Sequence, residues 1–264
     1  MKTAKETAKA YMQVGVNKTT MPVGRMFLSA ILAGAFIAFG ALGSQIATAC
    51  IGGSAGRLAG ACVFPVGLIL VVSLGTELFT GNCLLILPLF AGKIKAPAMI
   101  KNWCIVYLGN FVGSLLVALA AVFGHTFGII AGAAGSYAPV IDTAVTKGNL
   151  SFGDAFLRGI LCNVLVCLAV WLAMSATEAP GKFLGAFFPV MLFVLCGFEH
   201  SVANMYFLPA GALVSLMQTG ASDVTVLSLL SNLLPVTIGN ILGGGLVVGG
   251  SLYLLFAHGE EEKA

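Results

Sequence analysis

The chain has 264 residues, 59% of them apolar and only 9% charged, with 13 Lys+Arg, 10 Asp+Glu and a formal net charge of +3. A soluble domain carries roughly 25% charged residues, and so few ionised side chains cannot clothe a water-facing surface of this size. The composition excludes a soluble globular protein, a disordered chain and a disulfide scaffold. With no basic stripe and no aromatic RNA motif it also excludes a nucleic-acid binder, and the chain is read as an integral membrane protein.

Crossing about 30 Å of hydrocarbon takes about 20 apolar residues as a helix, which allows the crossings to be counted in chain order. Residues 1–25 carry Lys2, Lys5, Lys9, Lys18 and Arg25, and the spacing of the first three puts their ammonium groups on one side of a short interfacial helix. Residues 27–49 form the first crossing. The run is too long for the apolar region of a signal peptide, although Ala47-Thr48-Ala49 imitates a cleavage site.

Residues 58–91 run for 34 positions and residues 183–217 for 35, each too long for one straight crossing and too short for two with a loop. Each also holds an acid near its middle, Glu77 and Glu199, and a carboxylate at the centre of a span costs about 3 kcal/mol or more on the insertion scale. The economical solution is one crossing in each stretch, made of two half-helices broken around residues 75–82 and 197–204. Residues 103–124, 155–176 and 226–257 are the remaining crossings, giving six. Both termini then share a side. That side collects Lys2, Lys5, Lys9, Lys18, Arg25, Lys93, Lys95, Lys101, Lys182 and Lys263, leaving Arg57, Lys147 and Arg158 opposite, so the termini are expected in the cytoplasm.

The seven cysteines (Cys50, Cys62, Cys83, Cys104, Cys162, Cys167 and Cys196) lie in or beside apolar stretches, are odd in number and show no Cys-x-x-Cys spacing. They read as small lipid- or core-facing residues, and neither a metal site nor a cofactor is expected.

The two halves of the chain match. Phe27-Leu28-x-x-Ile31-Leu32 recurs as Phe156-Leu157-x-x-Ile160-Leu161, Gly75-x-Glu77-x-x-x-x-Asn82 as Gly197-x-Glu199-x-x-x-x-Asn204, and Gly109-Asn110-x-x-Gly113 as Gly239-Asn240-x-x-Gly243. Three matches in one order at offsets of 129, 122 and 130 define a repeat. Each repeat holds three spans, an odd number, so the second is inverted relative to the first. Broken helices in inverted repeats mark a transport pathway at the bilayer midplane. The second half-helices are expected to begin near Asn82 and Ser201 and to approach the midplane from opposite faces. Their N-terminal N–H groups would favour an anion. The chain is thus expected to be one transmembrane domain over residues 1–264, with an N-terminal segment 1–25, a first repeat 27–124, a second repeat 155–257 and a tail 258–264.

At Gly75-Thr76-Glu77-Leu78-Phe79-Thr80-Gly81 and Gly197-Phe198-Glu199-His200-Ser201-Val202-Ala203-Asn204-Met205, with Arg158-Gly159-Ile160-Leu161-Cys162-Asn163 between them, the sequence closely resembles the formate/nitrite transporter family, and among its branches most resembles the bacterial hydrosulfide channels. The resemblance covers essentially the whole chain. It implies a homopentamer of all-α, aquaporin-like protomers in the bacterial inner membrane, each protomer passing small monovalent anions such as formate, nitrite or hydrosulfide.

Carried onto this sequence, the resemblance implies that His200 is the pore histidine on the break of the fifth span, that Thr80 faces it from the break of the second, that Asn163 hydrogen-bonds at this centre, and that Lys147 lies at the outer vestibule. It also implies apolar constrictions at Phe64, Leu68, Leu78 and Phe193. From the residue alone Lys147 is an ordinary solvated loop lysine; in a vestibule it would concentrate anions before they shed water. His200 would either hydrogen-bond the anion or protonate a weak acid so that it passes neutral. Glu77 and Glu199 are expected to be structural, accepting backbone N–H bonds at the two breaks with Asn82 and Asn204 beside them, because acids in the path would repel an anion. Asn110 and Asn240 read as sites of packing and interhelical hydrogen bonding.

Two other readings are weighed against this one. Gly52-x-Ser54-x-Gly56 matches a serine-hydrolase pattern but lacks the strand-to-helix context that gives it meaning, so no enzyme is expected. An aquaporin-like channel for small neutral solutes is the alternative, and the absence of an Asn-Pro-Ala triplet at either break speaks against it.

Overall fold

The computed structural model describes residues 1–258, so most of the expected tail, residues 259–264, lies outside the described residues. The described part is helical and contains no strand. Helix α1 (Ala4–Thr20) opens on a capping box in which Thr3 and Glu6 satisfy each other's backbone N–H groups. It is longer than the short interfacial helix expected, and one face of it, with Thr7, Ala8, Tyr11 and Gly15, is buried against the bundle. Lys2 does not simply face solvent: its backbone N–H donates to the Ser175 carbonyl and its Nζ to that of Met174.

The first crossing is α2 (Val23–Ile51). The second comprises α3 (Gly53–Val63) and α4 (Val66–Leu74), a non-helical break at residues 75–78, and a further helical run made of α5 (Phe79–Asn82), a tighter turn at Cys83–Leu85 and α6 (Ile86–Phe90). Helix α7 (Ala96–Phe123) completes the first repeat. In the second, α10 (Phe152–Ser175) is followed by α11 (Ala179–Leu195), a break at residues 196–200, α12 (Ser201–Thr219) and α13 (Val226–Asn240). The chain then continues through a π-helical stretch, Ile241–Gly250, into α14 (Ser251–Phe256).

By length and composition, Val23–Ile51, Gly53–Leu74, Ala96–Phe123, Phe152–Ser175 and Val226–Phe256 can each cross a membrane. The sixth crossing is the pair α11 and α12 on either side of its break. The second crossing is less evenly divided than expected: 22 residues precede its break and 12 follow, because the helix already starts at Gly53. Its later part starts at Phe79, three residues before the expected Asn82, since Asn110 supplies an acceptor for the Phe79 N–H.

The connection between the repeats holds two helices that apolar periodicity did not foreshadow, α8 (Gly128–Ala134) and α9 (Ala138–Gly148), bent by 104° at Gly135–Tyr137. Helix α9 packs on α12.

Two glycine pairs sit at equivalent points of the two halves. Gly75 (φ +65°) and Gly197 (φ +71°) take left-handed backbone at equivalent points and end the helices before each break. Gly113 brings α7 onto α2, and Gly243 brings the π-helical stretch onto α10, so closely that a Cβ on either would collide with the Ile31 or the Ile160 carbonyl. Tyr107 and Thr237, related by the same offset of 130, hydrogen-bond to each other at 2.9 Å. Equivalent residues can touch only where they straddle the pseudo-twofold axis. Large side chains such as Leu32, Phe39, Leu108, Leu161, Phe188 and Leu234 are exposed around the bundle, as a lipid environment permits.

Candidate functional site

At the first break Glu77, whose side chain is 1% exposed, accepts from Lys18 Nζ at 2.7 Å, from Asn82 Nδ2 at 2.7 Å and from Asn102 Nδ2 at 3.3 Å. Asn82 Nδ2 also donates to Asn102 Oδ1 at 2.9 Å, and Asn102 Nδ2 to the Lys18 carbonyl at 3.3 Å. The second break repeats this set. Glu199 accepts from Lys147 Nζ at 2.8 Å and from Asn204 Nδ2 at 2.6 Å; Asn204 donates to Asn232 at 2.8 Å, and Asn232 to the Lys147 carbonyl at 2.9 Å. Below each break an asparagine ties the loop to the long helices. Asn110 accepts from the Phe79 N–H and donates to the Ala30 and Glu77 carbonyls; Asn240 accepts from the Ser201 N–H and donates to those of Gly159 and Glu199.

Two expectations are corrected here. The glutamates accept from lysine and asparagine side chains rather than from backbone N–H groups. Lys147 is not a solvated arm: it is paired with Glu199, and its Nζ stands 5.3 Å from the centre of the Phe207 ring. The leading N–H of each second half-helix is occupied by an asparagine oxygen, Asn110 Oδ1 at Phe79 and Asn240 Oδ1 at Ser201, and the Ala203 N–H is taken by His200.

Between the breaks the equivalence ends. His200 stands at the position of Leu78, Val202 at that of Thr80 and Asn163 at that of Gly34. His200 caps α12, accepting the Ala203 N–H on Nδ1 at 3.0 Å, and its Nε2 lies 3.0 Å from Thr80 Oγ1. A backbone N–H can only donate, so Nδ1 carries no proton. In the neutral ring Nε2–H therefore donates to Thr80, whose own O–H stays available. A proton on Nδ1 would face the Ala203 N–H, so the imidazolium form requires the α12 cap to open.

Asn163 donates to the Thr80 carbonyl at 3.1 Å and to the Asn240 carbonyl at 2.7 Å. Two carbonyl partners fix the orientation of its amide. They leave Oδ1 as a buried acceptor without a protein partner, as Ser201 Oγ also is.

Cavities open on both sides of this centre. On the α1 side a cavity of about 340 Å³ is lined by Tyr11, Lys18, Leu68, Val71, Glu77 and Leu78 among others, and on the α9 side one of about 160 Å³ by Phe64, Lys147, Phe193, His200, Asn204 and Phe207 among others. Phe64 and Phe193 meet edge to face at 5.5 Å, and Phe193 stacks on the His200 ring at 5.8 Å. The four apolar positions thus line the two cavities in pairs, Phe64 with Phe193 and Leu68 with Leu78, with His200 and Thr80 between.

Lys18 and Asn102 were not singled out in the sequence, yet the repeat offsets point to them: Lys147 less 129 is Lys18, and Asn232 less 130 is Asn102. Cys167, whose thiol also donates to the Thr80 carbonyl at 3.4 Å, has no such signal, because its counterpart is Ala38. All seven cysteines are free, and among the described residues no cluster of His, Cys, Asp or Glu is arranged to hold a metal. Ser54 is exposed at the start of α3.

Comparison with known proteins agrees with this architecture. The sequence profile described as formate/nitrite transporter matches residues 5–254. The chain is 40% identical over 266 aligned positions to the uncharacterized transporter YrhG of Bacillus subtilis, covering 98% of this chain and 94% of that one. It is 37% identical to the formate channel FocA of Escherichia coli K12, covering 94% and 92%. Among solved structures, an FNT family ion channel superposes with a TM-score of 0.84 at 31% identity, covering 94% of this chain and 98% of that one. A pentameric formate channel with formate bound superposes with a TM-score of 0.73 at 31% identity, covering 89% and 97%.

The protein is a multi-pass membrane protein of aquaporin-like, inverted-repeat architecture. It belongs to the formate/nitrite transporter family, a family of channels and transporters rather than of enzymes.

Proposed function

We propose that the chain assembles as a homopentamer in the bacterial inner membrane with both termini in the cytoplasm, and that each protomer conducts small monovalent anions, formate foremost. The likeness to the Escherichia coli formate channel supports formate, and the likeness to the pentameric formate channel supports the assembly. Nitrite and hydrosulfide are added on size, charge and the sequence resemblance. The balance of Lys and Arg makes the α1 side cytoplasmic and the α9 side external.

One observation carries the reading: the His200–Thr80 hydrogen bond at 3.0 Å, buried between two apolar pairs that each face a cavity with a lysine at its wall. Because Lys147 and Lys18 are each neutralised by a glutamate, they serve as local donors rather than as a long-range field. An anion leaving the external cavity sheds water at Phe64 and Phe193 and finds replacement donors in the Thr80 hydroxyl and the His200 Nε2–H. A weak acid crossing in its neutral form finds an acceptor in Asn163 Oδ1 as well.

Flux into liposomes containing the purified protein tests the reading. Formate, nitrite and hydrosulfide should compete for one pathway that excludes glycerol. Passage of glycerol or water without any of the three anions would instead support the neutral-solute channel.

A further inference from the structure

The external cavity has a neighbour that the pathway above does not use. A second cavity, of about 200 Å³, lies between α2, α9 and α12, lined by Ser44, Gln45, Thr48, Thr143 and Phe207 among others. Ser44 and Phe207 also line the cavity that holds Lys147 and His200. The two spaces therefore share a wall, and the Phe207 ring that forms part of it carries the Lys147 ammonium on one face.

Gln45 is only 6% exposed. Its Oε1 accepts from the Tyr206 hydroxyl at 3.3 Å, while its Nε2 is buried with no protein partner. A buried amide donor left unpaired is unfavourable, and such groups are ordinarily satisfied. Across the cavity, Thr143 spends its hydroxyl hydrogen on the Pro139 carbonyl at 2.7 Å and leaves its lone pairs free. The lining thus offers a neutral donor, a neutral acceptor and small hydroxyls, and none of its lining residues is charged. That chemistry suits a small, partly hydrated monovalent anion, because it replaces water one hydrogen bond at a time without trapping the ion electrostatically.

We propose that this chamber is a separate external binding step for the permeating anion, with Gln45 as its principal donor and Phe207 as the partition between it and the Lys147 cavity. The proposal rests on the anion-channel reading. The opposite mouth lacks the donor, since the equivalent of Gln45 is Met174, although Thr177 answers Thr48, and α1 covers that face. The step therefore acts on anions arriving from one side only.

The test is the formate concentration giving half-maximal flux, measured in right-side-out and in inside-out membrane vesicles. Gln45→Met should raise it about three- to tenfold for external formate, leave it unchanged for internal formate, and keep maximal flux within about twofold, as expected for losing one neutral hydrogen bond. Thr143→Val, which disturbs only a local helix bond, should give a smaller rise, about two- to threefold, again from outside only; it reads the same chamber if Gln45→Met fails to assemble. No change with either variant, or an equal change from both sides, overturns the proposal. Absence of formate flux in the wild-type vesicles would instead overturn the channel reading itself.

Discussion

The two helix breaks share a frame and differ at their centre. Around residues 75–82 and 197–204 the same four residue types, lysine, glutamate and two asparagines, make matching hydrogen bonds, and a third asparagine ties each loop to the equivalent pair of helices, α2 and α7 in one half and α10 and α13 in the other. Between them, Leu78 answers His200, Val202 answers Thr80 and Gly34 answers Asn163. What holds a break in shape is therefore duplicated, and what an ion would meet is not. A symmetric frame can carry an asymmetric centre because the glutamates and the asparagine amide N–H groups spend their hydrogen bonds within the protein, leaving the middle positions free to vary; Asn204 Oδ1 remains a buried acceptor without a protein partner.

The comparison breaks most readily at the ion pairs. Lys147→Met and Lys18→Met each leave a nearly buried carboxylate without its cation, and each should destabilise the protein by about 3–5 kcal/mol in denaturation of the detergent-solubilised protein. Adding Glu199→Gln to Lys147→Met should recover most of that loss. If Lys147→Met is costly while Lys18→Met is silent, α1 does not close the first network and the two frames are not equivalent.

The tie asparagines come next. Asn110→Leu and Asn240→Leu each strand a buried N–H at the start of a half-helix, with expected losses of about 2–3 kcal/mol that match within error. The smallest effects belong to the close approaches. Gly113→Ala and Gly243→Ala push equivalent helix pairs apart and should cost about 1–3 kcal/mol each. A marked inequality at this pair would sharpen the comparison, since Gly243 lies in the π-helical stretch beginning at Ile241 whereas Gly113 lies in a regular α-helix.

Much of the frame was legible because acids and amides are conspicuous in an apolar chain. Glu77 and Glu199 announced the breaks, and Gly75 and Gly197 fixed where the helices stop. The docking of α1 was not legible: three lysines at helical spacing look the same whether the opposite face meets lipid or protein. Helix α8 was hidden by a Gly- and Ala-rich stretch, whereas α9, with Val140, Ile141, Ala144 and Val145 at helical spacing, was too short to count as a crossing. The ion pairs join residues 59 and 52 positions apart, which no local pattern exposes, although the repeat offset would have led from Lys147 to Lys18. At the centre, His200, Thr80 and Asn163 came from resemblance, whereas the role of Gln45 depends on where α9 folds and left no trace in sequence.

The claim that matters most is that the matched residues hold the breaks and the unmatched ones conduct. Formate flux per reconstituted protein in liposomes tests it directly, comparing wild type with Thr80→Val and His200→Leu, which copy at each site the residue found at its counterpart. Both variants should assemble, and both should lose at least about tenfold in flux, as expected for removing a hydrogen-bond donor from a dehydrated ion. Flux within twofold of wild type in both variants would contradict the account.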